Sequence, residues 1–331
     1  MERRVGNSCP SCGGNAELVS DAVEGYQEGL RFSIYTCMLC TASFAVPMQV
    51  YYDLYELIYR NIRQVPGYSR YERYAHDVLS VDRPLAYLMS REETYWAVAG
   101  HLLQKKRLGK ELQILEVGCG LGYFTYALVR EGFNACGIDL SREAIAWAND
   151  HYGRHYSAET LHTLGTRGKR YDVIVMNQLI EHVVDVNMLV ATALTLLAPG
   201  GELMITTPNK SDFPNSVWET ELPPVHLWWF TEESLRRLAE RHGCSATLTD
   251  FAPYYRSIPT LKPPVRERRP VFDARGRLAS VQEAVPLGLL RRTLDQMGAL
   301  NTLRKIKMSI AGQERRFGSR GPVLAAVLHR A

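Results

Sequence analysis

The run from Leu112 to Val117, followed by Gly118-Cys119-Gly120-Leu121-Gly122, constrains this chain most. A short apolar stretch that meets three closely spaced glycines and then resumes with helical spacing reads as strand, tight turn and helix. Gly132 closes that helix, and a second strand, Ala135 to Ile138, delivers Asp139. Ser141 caps a helix running towards His151. Tyr171 to Met176 is a third clear strand, Val184 to Leu197 a helix, and Pro199-Gly200-Gly201 the turn into a strand from Glu202 to Thr207. Thr231 caps a helix that Gly243 closes before a strand near Ala246 to Phe251, and Val323 to Leu328 is the last strand. Strands alternating with helices predict a doubly wound, mostly parallel α/β sheet with right-handed crossovers.

Two Cys-x-x-Cys knuckles precede this alternation: Cys9-Pro10-Ser11-Cys12 and Cys37-Met38-Leu39-Cys40, with an alternating segment near Leu30 to Tyr35 between them. The pattern resembles a zinc ribbon. Thiolates from Cys9, Cys12, Cys37 and Cys40 would close a structural tetrahedral Zn2+ site and stabilise a module too small for its own core; a redox role for the pairs is the other reading. Cys119, Cys136 and Cys244 stand in strand or turn contexts and read as buried small apolar residues. Paired cysteines in an odd total of seven favour metal over disulfides, hence a reducing compartment, the cytoplasm. A polar start and the lack of any run of eighteen apolar residues predict a soluble, unexported protein without a membrane partner.

The texture of the chain predicts five segments: a zinc-ribbon-like module at 1–46, a Tyr-rich helical lid at 47–110, a ligand-binding core at 111–251, a basic insertion at 252–321, and the final strand at 322–331. The formal net charge of +4 is small, but 252–321 holds fifteen Lys/Arg against five Asp/Glu, so an anionic partner belongs there. This stretch opens with prolines that exclude a central strand and continues into an expected helix from about Leu287 to Met308. In the lid, Tyr51, Tyr52, Tyr55 and Tyr59 fall mostly on one helical face, either packed against the neighbouring domain or lining a substrate cleft.

In an open parallel sheet, ligands sit beyond the carboxyl ends of the strands, where a glycine turn admits close approach at a helix N-terminus. Asp139 stands twenty-one residues after Gly118, the spacing that delivers a carboxylate to ribose hydroxyls. A dinucleotide motif would place glycine where Tyr123 stands, which weakens a pyrophosphate reading. The run Leu115 to Gly122 instead resembles motif I of class I S-adenosylmethionine-dependent methyltransferases. Gly137-Ile138-Asp139-Leu140-Ser141, Tyr171 to Val175 and Leu197-Ala198-Pro199-Gly200-Gly201 resemble later motifs of the same family, over about residues 112 to 251. The resemblance implies a seven-stranded Rossmann-like sheet, with an N-terminal zinc ribbon, a helical lid and an insertion before the last strand. It also implies S-adenosyl-L-methionine as cofactor: Gly118, Gly120 and Gly122 around the methionine portion, Glu116 at the end of the first strand, and Asp139, followed by Leu140, at the ribose. Glu159, after Ser157 and Ala158 beyond the expected third strand, stands near the adenine, and Asn177 and Gln178 wall the cleft.

Glu181-His182 resembles the Glu-His step of small-molecule O-methyltransferases such as those of ubiquinone biosynthesis. In that group an upstream Glu helps bind a divalent ion; Gln178 occupies the matching position here and puts metal assistance in doubt. His182 is a candidate general base, or a helix-starting histidine that only bonds backbone. On the stretch Trp218 to Phe230, His226 is a second base candidate, while Trp218, Trp228 and Trp229 are either structural or substrate contacts. Tyr95 and Trp96 would close the other side. The leading expectation is a methyltransferase acting on a hydroxyl of a small molecule, a sugar or a nucleotide-linked glycan intermediate, with an anionic acceptor gripped by the basic insertion. An RNA base methyltransferase is the second reading, although no Asn/Asp-Pro-Pro-aromatic motif follows the fourth strand, and a non-catalytic cofactor-binding scaffold is the third.

Overall fold

The computed structural model describes residues 8–65, 67–212, 222–258, 269–279 and 321–330. Trp218 and the expected helix from Leu287 to Met308 lie outside the described residues, as does most of the basic insertion. Three antiparallel strands come first: β1 (Ala16–Glu24), β2 (Arg31–Cys37) and β3 (Ser43–Val46). Four helices follow: α1 (Tyr52–Arg60), α2 (Ser69–Asp77), α3 (Pro84–Met89) and α4 (Glu93–Arg107). Strands and helices then alternate through β4 (Gln113–Val117), α5 (Tyr123–Arg130), β5 (Asn134–Asp139), α6 (Arg142–Tyr152), β6 (Tyr156–Ala158), α7 (Leu161–Gly165), β7 (Tyr171–Asn177), α8 (Val186–Thr195) and β8 (Leu197–Pro208). The remaining elements are β9 (Trp228–Trp229), α9 (Glu232–Arg241), β10 (Cys244–Leu248), α10 (Ala252–Ser257) and β11 (Val323–Arg330).

The main sheet has seven strands in the order β10-β11-β8-β7-β4-β5-β6, with β11 antiparallel to both neighbours and the run β8-β7-β4-β5-β6 parallel. This is the mostly parallel sheet expected from the alternation, with the seven strands of the Rossmann-like fold that the resemblance implies. Strands β4 and β7 are covered on both faces, which is why Ile114, Leu115, Val173, Ile174, Val175 and Met176 form unbroken apolar runs. One face packs Val98, Leu102, Phe124 and Leu128 against Ile114, Val173 and Val175; the other packs Val190, Leu194, Leu235 and Leu238 against Ile174 and Met176. The chain leaves β4 towards β5 on one side while β7 lies on the other, so the loops after β4 and β7 part and open a crevice.

Local signals account for the helix ends. The Ser141 side chain accepts the Ala144 amide at 3.1 Å, and Thr231 forms a capping box with Ser234. Gly122 caps α5 in the left-handed region at φ 75°, where a Cβ would lie 2.5 Å from the Tyr156 ring.

The cysteine segment is joined to the sheet more closely than its sequence suggests. Cys37, Cys40 and Phe44 share one apolar cluster with Leu227, Trp228 and Phe230, and β9 pairs antiparallel with β3 to give a second sheet, β1-β2-β3-β9. Ser157 and Ala158 lie within β6, not beyond it.

Candidate active site

A cavity of about 2060 Å³ opens at the carboxyl ends of β4, β5 and β7, roofed by α1 and α2. Ligand pockets commonly span roughly 300 to 1,000 Å³, so the space is ample for a nucleoside cofactor together with an acceptor. Glu116, Gly118, Gly120, Asp139, Leu140, Glu159, Asn177 and Gln178 all lie on its wall, as do His182, His226 and Tyr95.

Asp139 organises the glycine turn. Its Oδ2 accepts the Gly120 amide at 2.8 Å and its Oδ1 the Ser141 amide at 2.9 Å, so the carboxylate ties the turn after β4 to the start of α6. Gly118 adopts φ 74°, and a Cβ there would meet Leu179 at 2.8 Å. A Cβ on Gly120 would stand 3.7 Å from the Tyr59 hydroxyl on the cavity side. Glu116 is 4 % exposed and accepts the Thr125 hydroxyl at 2.5 Å; burial pushes its carboxyl up to about 8. Leu140 keeps 62 % of its surface exposed. Glu159 accepts the Ser157 hydroxyl at 2.6 Å and pairs with Arg167 at 3.0 Å.

Beyond β7 the backbone is bent sharply. Gln178 adopts φ 53°, a left-handed conformation uncommon for a side chain of its size, and its amide donates to Thr206. The Thr206 hydroxyl donates in turn to Asn177 Oδ1 at 2.7 Å. This bend launches the short 3-10 turn Ile180–His182. There Glu181 is fully buried, His182 and His226 lie edge-on with ring centroids 4.7 Å apart, and ligand-capable atoms of all three residues fall within 4.8 Å of one another. One carboxylate and two imidazoles suit either proton transfer or a divalent cation.

His182 Nδ1 is 2.6 Å from the Val225 carbonyl oxygen, which can only accept, so Nδ1 carries a hydrogen, and Nε2 lies 3.9 Å from Glu181 Oε1. The Tyr55 hydroxyl donates to the same carbonyl at 3.1 Å and lies 3.2 Å from Nδ1. Burial, then the Glu181 charge, push the Tyr55 phenol above its usual range, so it stays a donor.

Several aromatic assignments need correction. Trp228 and Trp229 are each 1 % exposed and form β9: Trp228 packs on Phe44 and Phe230 and donates Nε1–H to the Val183 carbonyl, and Trp229 sits with Phe32, Ile34 and Ala45. Neither borders the cavity, because pairing with β3 turns both into core. Trp96 also faces away, against Phe251 and Tyr254. Gly122 is taken up by packing on Tyr156 and Ala148 and lies behind the cavity wall. Tyr95 borders the cavity but is 2 % exposed, its hydroxyl 2.5 Å from that of Tyr123. Tyr55 and Tyr59, present in the sequence only as part of a helical face, line the cavity, whereas Tyr51 turns to Phe32.

The four paired cysteines converge. Cys9 Sγ is 3.8 Å from Cys40 Sγ and Cys12 Sγ 3.4 Å from Cys37 Sγ, all within 4.8 Å of one another. Zinc–sulfur bonds of about 2.3 Å in a tetrahedron put sulfurs roughly 3.8 Å apart, so this donor set fits a tetrathiolate metal. The contact between Cys9 and Cys40 holds the Cys9 thiol well below its usual range and pushes Cys40 up. Lys210, from the segment after β8, is buried beside them; burial pulls its ammonium down to about 8, opposed by Cys40 and Cys37.

Residues 90–248 match the family described as "Methyltransferase domain". The matched segment runs from α4 to β10 and carries every cavity residue that the sequence motifs single out. Among curated relatives, the ubiquinone biosynthesis O-methyltransferase of Chelativorans sp. (strain BNC1) is 31% identical over 122 residues, 34% of this chain and 48% of that protein. The enzyme of the same name from Coxiella burnetii (strain Dugway 5J108-111) is 29% identical over 145 residues, 38% of this chain and 62% of that protein. The chain thus spans about half to three fifths of the length of these curated relatives. A possible histamine N-methyltransferase from Thermotoga maritima superposes with a TM-score of 0.43 at 15% identity, covering 84% of this chain and 100% of that one. Among the described residues no helix is long and apolar enough to cross a membrane.

Proposed function

We propose that the chain is an S-adenosylmethionine-dependent methyltransferase that methylates a hydroxyl of a small molecule, a sugar or nucleotide-linked glycan intermediate being the leading class. The observation that carries this reading is the pairing, in one cavity, of a glycine turn held by Asp139 with a histidine, His182, whose Nδ1 is turned to the Val225 carbonyl. The cradle fits the cofactor: Gly120, at φ 52° on the cavity wall, brings backbone to the cavity without a side chain, the Asp139 oxygens retain lone pairs for ribose hydroxyls, and exposed Leu140 offers apolar cover for a base. Bound there, S-adenosylmethionine supplies a methyl group on a positively charged sulfur. The chain's own task is then to align the acceptor and exclude water. His182 takes the acceptor proton at Nε2 while Tyr55 and the Val225 carbonyl hold the ring, and His226 packs edge-on against it. A structural zinc at Cys9, Cys12, Cys37 and Cys40 belongs to the same reading, supported by the sulfur spacing.

Two variants test this. Asp139→Ala should weaken S-adenosylmethionine binding at least tenfold by calorimetry, since a charged acceptor contributes about 1.5 to 3 kcal/mol; unchanged affinity would reject the cradle. His182→Gln should retain cofactor affinity and lower kcat by about 10²- to 10⁴-fold against hydroxyl acceptors, with loss of the acid limb of the pH profile. An unaltered kcat and pH profile would remove His182 from the chemistry.

A further inference from the structure

The cysteine module reaches the cavity wall by two routes, both made of atoms that the proposed methyl transfer does not use. The first is a ladder. Beyond Cys40, β3 pairs with β9 at Ser43–Trp229 and Phe44–Trp228; the Ala45 amide donates to the Leu227 carbonyl, and the Leu227 amide donates to the Glu181 carbonyl. His226 immediately precedes Leu227, so the strand that leaves the module ends on Glu181 and His226 themselves. The second is a buried cation. Pro208, at the end of β8, borders the cavity; two residues on, Lys210 is 6 % exposed and donates from Nζ to the Thr41 carbonyl at 2.8 Å and to Thr36 Oγ1 at 3.4 Å. Thr41 follows Cys40 and Thr36 precedes Cys37. The Lys210 amide also donates to the Phe230 carbonyl, which fixes the lysine to the segment that continues β9.

Each half of this junction explains the other. Four thiolates around a divalent ion carry two net negative charges, which are costly to bury without a counter-charge; a buried ammonium is costly without an anion. Neutral acceptors on Thr41 and Thr36 take two of the three hydrogens of Lys210 but leave its charge, and the tetrathiolate would supply the balance. We propose that Lys210 is a positioning residue that clamps the metal-loaded cysteine module against the end of β8, and that the loaded module sets the placement of His226 and Glu181. This rests on the zinc reading above. The glycine turn follows β4 and Asp139 ends β5, and neither shares a hydrogen bond with either route, so the coupling acts on the acceptor side of the cavity and leaves the cofactor side alone.

Lys210→Met and Lys210→Gln in the full chain test the clamp, with Lys210→Arg keeping the charge. Both neutral variants should bind zinc about 10- to 100-fold more weakly in chelator competition. In the cobalt-substituted protein they should move the thiolate-to-metal charge-transfer band to longer wavelength, since removal of a nearby cation makes the sulfurs easier to oxidise; Lys210→Arg should retain the wild-type band. S-adenosylmethionine affinity should not change. In wild type, stripping zinc should speed hydrogen exchange at the Leu227 amide and shift the His226 ring resonances while the Gly120 amide is unaffected. Wild-type zinc affinity and charge-transfer band in the neutral variants overturn the clamp. Should those variants fail to fold, a Leu227 amide and a His226 ring indifferent to zinc in wild type overturn it equally. A wild-type chain that takes up no zinc overturns the metal reading itself, a result distinct from zinc that binds without reaching His226.

Discussion

Glu116 shows how one buried carboxyl can govern the pH response of a sheet. In the unfolded chain it ionises near 4.5, whereas burial raises it to about 8 in the fold. Between those values the native state holds a proton that the unfolded state has lost, so its contribution to stability is complete below about pH 4.5 and is lost as pH rises through about 8. The loss amounts to a few kcal/mol, on the order of the shift itself. Glu116→Gln, which keeps an acceptor for Thr125, should therefore be more stable than wild type at pH 8 to 9 and lose that advantage towards pH 5. A melting-temperature difference that does not vary with pH would contradict this. Asp139 and Glu116 are legible from sequence because strand, turn and carboxylate lie within one βαβ unit. Tyr55 is not: it meets His182, 127 residues further on, and nothing local in a tyrosine-bearing helical face says which ring will turn to the cavity. Lys210 leaves no trace at all, since a lysine after a strand reads as solvated until the cysteines pack over it.

At the scale of elements, the βα turns follow their local chemistry closely. Ser141, Thr231, Gly132 and Gly243 cap or close the helices that their spacing predicts. Gly122 is the most demanding of these positions, combining φ 75° with a Cβ direction blocked by Tyr156 and Ala148. Gly122→Ala should cost more than the roughly 1 kcal/mol of a left-handed alanine, because the Tyr156 ring must also move. Gly168→Ala, at φ 71° with open space around it, isolates the backbone part. Denaturant titrations giving equal losses for both would show that the ring yields freely. The tryptophans of β9 illustrate where local reading ends: aromatic residues after proline-rich loops suit a substrate wall, and only the pairing with β3, from near the start of the chain, turns them into core.

Across the whole molecule, two sheets share one apolar cluster, and the larger is completed by β11 between β8 and β10. The alternation of strands and helices makes the mostly parallel sheet readable, and the cysteine spacing makes the module readable, but how the two lock together depends on contacts between residues far apart in sequence. Deleting residues from Val323 onward should leave β8 with an open edge and β10 with no partner, giving insoluble or aggregated protein. A soluble, cooperatively melting truncation would show that the sheet can close without its antiparallel strand.

The place of β11 also bears on how the protein is made. During synthesis every parallel strand emerges before the one that seals them, so the growing chain carries a sticky, unzipped flank until β11 has itself been made and released.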